Sequence, residues 1–114
     1  MPKKFAANIF ASAYKDYSDE VYEYFKEVTS KVDFKQLVKA RKAINKIDIL
    51  NDLNKVSVPV LVMAGDKADI MIEPAKKIVN NLENAEFKII KGALDPSNMT
   101  KPETFDKHVL EFIK

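Results

Sequence analysis

A change of periodicity at Val56 constrains the fold more than any other feature of the chain. Before it, apolar residues recur every three or four positions; from it, Val-Ser-Val-Pro-Val-Leu-Val-Met-Ala runs almost unbroken until Gly65. A β-branched run of this kind fits a strand buried in a parallel sheet, with Pro59 near its start. A second short run, residues 86–91, follows after a helical stretch, and a last helical stretch follows that. The second half therefore reads as strand, helix, strand, helix, the unit of a parallel α/β sheet with right-handed crossovers.

The first half reads as helices. Over residues 5–14, Phe5, Ile9 and Phe10 with Ala6 and Ala13 lay an apolar stripe on one helical face. Asp16-Tyr17-Ser18 breaks it, and Ser18 is placed to cap a second helix whose first turn holds Asp19 and Glu20 and whose stripe is Val21, Tyr24, Phe25 and Val28. Asp33, with Gln36 three residues on, resembles a capping box for a third helix with Phe34, Leu37, Val38, Arg41 and Ile44 on one face. One further turn is expected at residues 48–54. In the second half, residues 66–72 read as a loop and Glu73-Pro74 as the first turn of a helix reaching about Leu82, with Ala75, Ile78, Val79 and Leu82 inward. Residues 92–101 read as a loop, and Pro102-Glu103 opens a final helix with Phe105, Val109, Phe112 and Ile113 inward. The expected organisation is a single domain over 1–114, helical through residue 55 and β-α-β-α over 56–114.

Composition removes much chemistry. There is no cysteine and a single histidine, so disulfides, thiolate nucleophiles, Cys-bound zinc or iron–sulfur centres and His-rich metal sites are excluded. Only Gly65 and Gly92 are glycines, against roughly eight at average usage. No G-x-G-x-x-G or Walker loop exists to cradle nucleotide phosphates, and no cofactor is expected. The 19 Lys plus Arg and 17 Asp plus Glu interleave along the chain, with no arginine-rich stripe carrying stacking aromatics, so nucleic acid is not an expected partner. No apolar run approaches the ~20 residues of a membrane span, and residues 5–14 lack the apolar core of a signal peptide; cytoplasmic residence is the expectation.

Two parallel strands make a poor sheet on their own, because parallel sheets are normally extended and covered on both faces. The sheet edge near Val58 and Ala64 (residues 58–64) would present unpaired backbone groups. A second copy of the chain, as a homodimer, is the expected completion.

Several pieces in order resemble the C-terminal part of the α/β-hydrolase family. They are Leu53-Asn54-Lys55-Val56-Ser57-Val58-Pro59 leading into the strand that Gly65 ends, then Gly92-Ala93-Leu94-Asp95, then Lys101-Pro102-Glu103-Thr104-Phe105, together covering roughly the last 60 residues. The helices before them, with Lys39 to Ile44 and Asp48, are similar to the end of the cap that many members insert before this strand. The resemblance implies a Ser, Asp or Glu, His triad with its serine in a G-x-S-x-G elbow. Ser12, Ser18, Ser30, Ser57 and Ser97 all lack the flanking glycines, and the strands that would carry the elbow would precede residue 1. In the family's acid slot stands Ala68, or Asp69 after a one-residue shift; in its histidine slot stands Asp95. A carboxylate, with an ordinary pKa near 3.9, does not relay protons at neutral pH as imidazole does. His108, inside the last helix, reads as a partly exposed structural histidine.

The resemblance thus implies a truncated, hydrolase-like protein without hydrolase activity of its own, a pseudoenzyme. The alternatives are a serine hydrolase for esters or other acyl groups completed by another chain, and a small binding module using the helical half as a lid. Three lesser constellations were open: Asp66, Asp69 and Asp95 as oxygen ligands for Mg²⁺ or Ca²⁺, or as plain loop acids; Tyr14, Tyr17, Tyr22, Tyr24 and Phe25 as a pocket, or as core; and Met63, Met71 and Met99 as a former acyl pocket, or as packing filler. In each the plainer reading is preferred, and no metal site is expected.

Overall fold

The computed structural model describes residues 2–67 and 69–114. The chain is mixed α/β and divides into two compact units, Met1–Asp48 and Ile49–Lys114.

The first unit holds α1 (Lys3–Ser12), α2 (Asp19–Lys31) and α3 (Phe34–Ile44). The caps form where the sequence places them. The Ser18 hydroxyl accepts from the Val21 amide at 3.4 Å, and Asp33 Oδ1 accepts from the amides of Lys35 at 2.9 Å and Gln36 at 3.3 Å, so orphan donors of the first turns are satisfied. The packed face of α1 differs from the expected stripe. Ala7, Ala11 and the following Tyr14 are buried, whereas Phe5 and Ile9 are 55% and 54% exposed. Small residues at i and i+4 let α1 lie close to α2, where Val21 is buried, and the larger side chains are left on the outer half of the apolar arc. Tyr14 stacks on Phe25 at 4.2 Å between centroids, and Phe10 meets the same ring edge-on at 5.7 Å. α3 buries none of its residues: Phe34, Leu37, Val38 and Ile44 lie on its surface.

The second unit begins with a 3₁₀ turn, Leu50–Lys55, then β1 (Val60–Gly65), a 3₁₀ turn Asp69–Met71, α4 (Ile72–Asn80), β2 (Ala85–Ile90), a one-turn α5 (Ser97–Thr100) and α6 (Pro102–Ile113). β1 starts immediately after Pro59, which has no amide for the ladder. The strands pair in parallel with Val60 opposite Ala85 and Gly65 opposite Ile90, forming a two-stranded sheet among the described residues. α4 packs on both strands and α6 on β2, placing Ala64, Ala75 and Ile90 in the core. Ile113 and Ile78, expected inward, are exposed. The Val60 amide donates to Asn84 O at 2.9 Å and the Asp66 amide to Ile90 O at 3.3 Å. Alternate residues of a parallel strand address the same neighbour, so Val60, Val62 and Ala64 turn their backbone groups to β2, and Leu61 and Met63 turn theirs to the other side.

Among the described residues no helix is long and apolar enough to cross a membrane.

Candidate functional site

In a parallel sheet the loops at the carboxyl ends of the strands are where side chains from different elements meet. Here the loops after β1 and β2 are joined by backbone chemistry. The Ile90 carbonyl accepts from both the Asp66 amide, at 3.3 Å, and the Ala93 amide, at 3.2 Å, and the Lys67 amide donates to the Ala93 carbonyl at 3.0 Å. Ala93 is fully buried. Its carbonyl oxygen would lie 2.3 Å from a Cβ placed on Gly65, so only glycine allows this approach. The Asp66 carboxylate accepts a 2.6 Å hydrogen bond from the Gly92 amide. Gly92 itself has φ +76°, the left-handed region that glycine enters without steric cost. Both glycines of the chain thus serve one junction, each for a different reason.

The loop after β2 is held from its far side as well. Thr100 Oγ1 donates to the Leu94 carbonyl at 2.6 Å, and Thr100 and Ser97 are buried. The Asp95-Pro96 peptide bond within this segment is cis. Beside the junction lies a pocket of about 140 Å³ lined by residues that include Val62, Met63, Met71, Pro74, Ile78 and Asp95. It is an apolar hollow with one acid at its margin.

The structure brings together some of the residues singled out by sequence and separates others. Asp95 reaches the pocket; Asp66 lies in the junction and has an oxygen engaged by Gly92; Asp69 opens the exposed 3₁₀ turn that carries Met71. Ala68, the other occupant considered for the acid slot, lies outside the described residues. No group of three acidic or histidine side chains able to hold a metal ion occurs among the described residues. Met63 and Met71 share the pocket wall, and Met99 is on α5. Tyr14 belongs to the packed aromatic cluster of the first unit, while Tyr24 is half exposed.

His108 sits on α6 with its side chain 20% exposed. Its Nδ1 is buried without a hydrogen-bond partner, the Glu111 carboxylate being 3.7 Å away on the same helix. Phe105 stands three residues before it and Phe112 four after, at helical spacing, and His108 does not line the pocket.

Sequence reading missed the structural use of Asp66 and Thr100. The signal for Asp66 was its position directly after Gly65, which aims a short acceptor at the neighbouring loop; Thr100 carried no signal separable from an ordinary surface threonine. Comparison with protein-family models, with curated proteins and with solved structures yields no match to this chain.

Proposed function

We propose that this chain is an α/β-hydrolase-like scaffold without triad chemistry of its own. The observation that carries the reading is the junction of the two strand-end loops. Gly65 and Asp66 on one side meet Gly92 and Ala93 on the other, the two segments whose sequence resembles the acid and histidine loops of that family. At this junction the ionisable side chain on the pocket margin is Asp95, and the imidazole of the chain is on α6. A carboxyl group does not take the place of the imidazole that such a triad uses, and no serine of the chain has an elbow around it.

The scaffold then serves by association. The outward backbone groups of Leu61 and Met63 form a template for another strand, and a second copy is the proposed occupant. The protein is proposed to act in the cytoplasm.

The test is labelling by a serine-directed fluorophosphonate, with purified protein and with the protein expressed in its native extract. The reading requires that the chain remain unlabelled in both and that it not co-purify with a labelled partner. A labelled partner that gains reactivity on binding this chain would instead establish the second reading, a serine hydrolase completed by another polypeptide.

A further inference from the structure

α3 is exposed along its whole length. It has eleven residues, and every position from 33 to 49 lies on the surface, with Phe34, Leu37, Val38 and Ile44 between 41% and 55% exposed. Helices of this length are marginal in water, where most helical stability comes from covering an apolar face. The charges around that face narrow what covers it. α3 carries Lys35, Lys39, Arg41 and Lys42 without an Asp or Glu, and Lys46 follows, whereas α2, α4 and α6 each mix both signs. None of these five cations makes an ion pair among the described residues. Of the acids beside the helix, Asp33 has its carboxylate on the first-turn amides of Lys35 and Gln36, and Asp48 lies past the last turn.

The two kinds of side chain are sorted around the helix. Phe34, Leu37, Val38, Arg41 and Ile44 recur at three- and four-residue intervals on one face, and Lys35, Lys39 and Lys42, at i, i+4 and i+7, run along its border. An apolar stripe edged by lysines is the pattern of a helix lying in the plane of an anionic bilayer surface. Arg41, within the apolar stripe, fits the same surface: its stem lies along acyl chains while its guanidinium reaches a phosphate, whereas an apolar protein groove would bury it unpaired. The neighbouring α1 adds Lys3 and Lys4, again without an acid, beside exposed Phe5 and Ile9, and its Phe10 shares a hollow with Phe34 and Leu37. Cations spread over two helices match an extended anionic surface rather than one acidic segment.

We propose that α3 lies in the headgroup layer of an anionic lipid bilayer, with Phe34, Leu37, Val38 and Ile44 at the acyl boundary and Lys35, Lys39 and Lys42 on the lipid anions. Eleven helical residues rise roughly 16 Å, against a hydrocarbon core of about 30 Å, so the helix rests on the surface and does not cross. The proposal rests on the first unit alone; it does not depend on the hydrolase-like reading, and it is separate from the pairing at the sheet edge.

Co-sedimentation of the full chain with vesicles of equimolar phosphatidylcholine and phosphatidylserine, beside vesicles of phosphatidylcholine alone, tests it. Binding is expected to the anionic vesicles only, and it should weaken as salt is added. Lys39→Gln with Lys42→Gln should weaken it by about thirtyfold. Both positions are exposed, so this variant should keep the parent's thermal unfolding. The chain has no tryptophan, so Leu37→Trp is a single reporter, and its emission should shift to the blue on the anionic vesicles. Absence of binding overturns the proposal. So does a Leu37→Trp emission already blue-shifted in the free chain, since protein would then cover the face, and so does vesicle binding that leaves the emission unshifted, since the apolar stripe would then stay in water. Equally tight binding to soluble polyglutamate overturns it in favour of an acidic protein partner.

Discussion

The carboxylate of Asp66 holds the amide of Gly92, 26 residues away, at 2.6 Å, and this bond ties the loop after β1 to the loop after β2. Charged acceptors make hydrogen bonds that stabilise more than neutral ones, but Asp66 is exposed and water competes for it. Asp66→Ala should therefore lower unfolding free energy by about 1–2 kcal/mol, and Asp66→Asn, which keeps an acceptor, by about half as much. Urea unfolding of the two variants measures both values. Equal losses would mean that a neutral amide oxygen does not replace the carboxylate as the acceptor for Gly92.

The two glycines of the junction should respond differently to substitution. Gly65→Ala puts a methyl 2.3 Å from the Ala93 oxygen, and the opposing backbone is itself bonded to Lys67, so about 3 kcal/mol of overpacking is expected. Gly92→Ala meets only the Lys101 side chain at 3.4 Å; its cost is the left-handed backbone, about 1 kcal/mol. Gly92→Asn should recover part of that because asparagine tolerates positive φ, while Gly65→Asn should be at least as damaging as Gly65→Ala. Thermal unfolding midpoints of the four variants separate steric from conformational cost.

His108 should prove structural. Its buried Nδ1 lacks a hydrogen-bond partner, so replacing the ring by an apolar side chain removes a polar group whose desolvation is uncompensated. His108→Leu is expected to leave stability within about 0.5 kcal/mol of the parent or to raise it. A loss of several kcal/mol in chemical unfolding would show that the imidazole makes interactions in solution that this geometry does not contain.

Amide exchange reads the sheet edge directly. Leu61 and Met63 direct their backbone groups away from β2, so pairing with another strand should protect their amides to the same degree as those of Val62 and Ala64. Protection that fades on dilution is the expected result for pairing with a second copy. Rapid exchange at every concentration would mean that the edge stays open.

Much of the second unit was legible because local signals agreed there. Pro59 set where β1 begins, Gly65 where it ends, and Pro102 where α6 starts, each through a backbone property rather than an average tendency. Ser18 and Asp33 marked two helix starts for the same reason. The covered face of α1 was not legible. Periodicity shows an apolar arc, and this arc is wide enough to hold both Ala7 with Ala11 and Phe5 with Ile9; which half meets α2 is decided by how closely the two helices approach. Within the loop over residues 92–101, the turn of helix at α5 and the buried Thr100 hydroxyl arise from long-range packing that no short pattern encodes. For the site, the sequence placed Gly65 and Gly92 at strand ends, whereas their meeting in one junction and the Asp66 clamp needed the parallel register.

These 114 residues are proposed to hold no activated nucleophile. Intact-mass spectrometry of the purified full chain after incubation with a fluorophosphonate tests it most directly. An unchanged mass is expected, also for Asp95→His, since placing an imidazole beside the pocket activates no serine. A stoichiometric adduct on Ser12, Ser18, Ser30, Ser57 or Ser97 would contradict it.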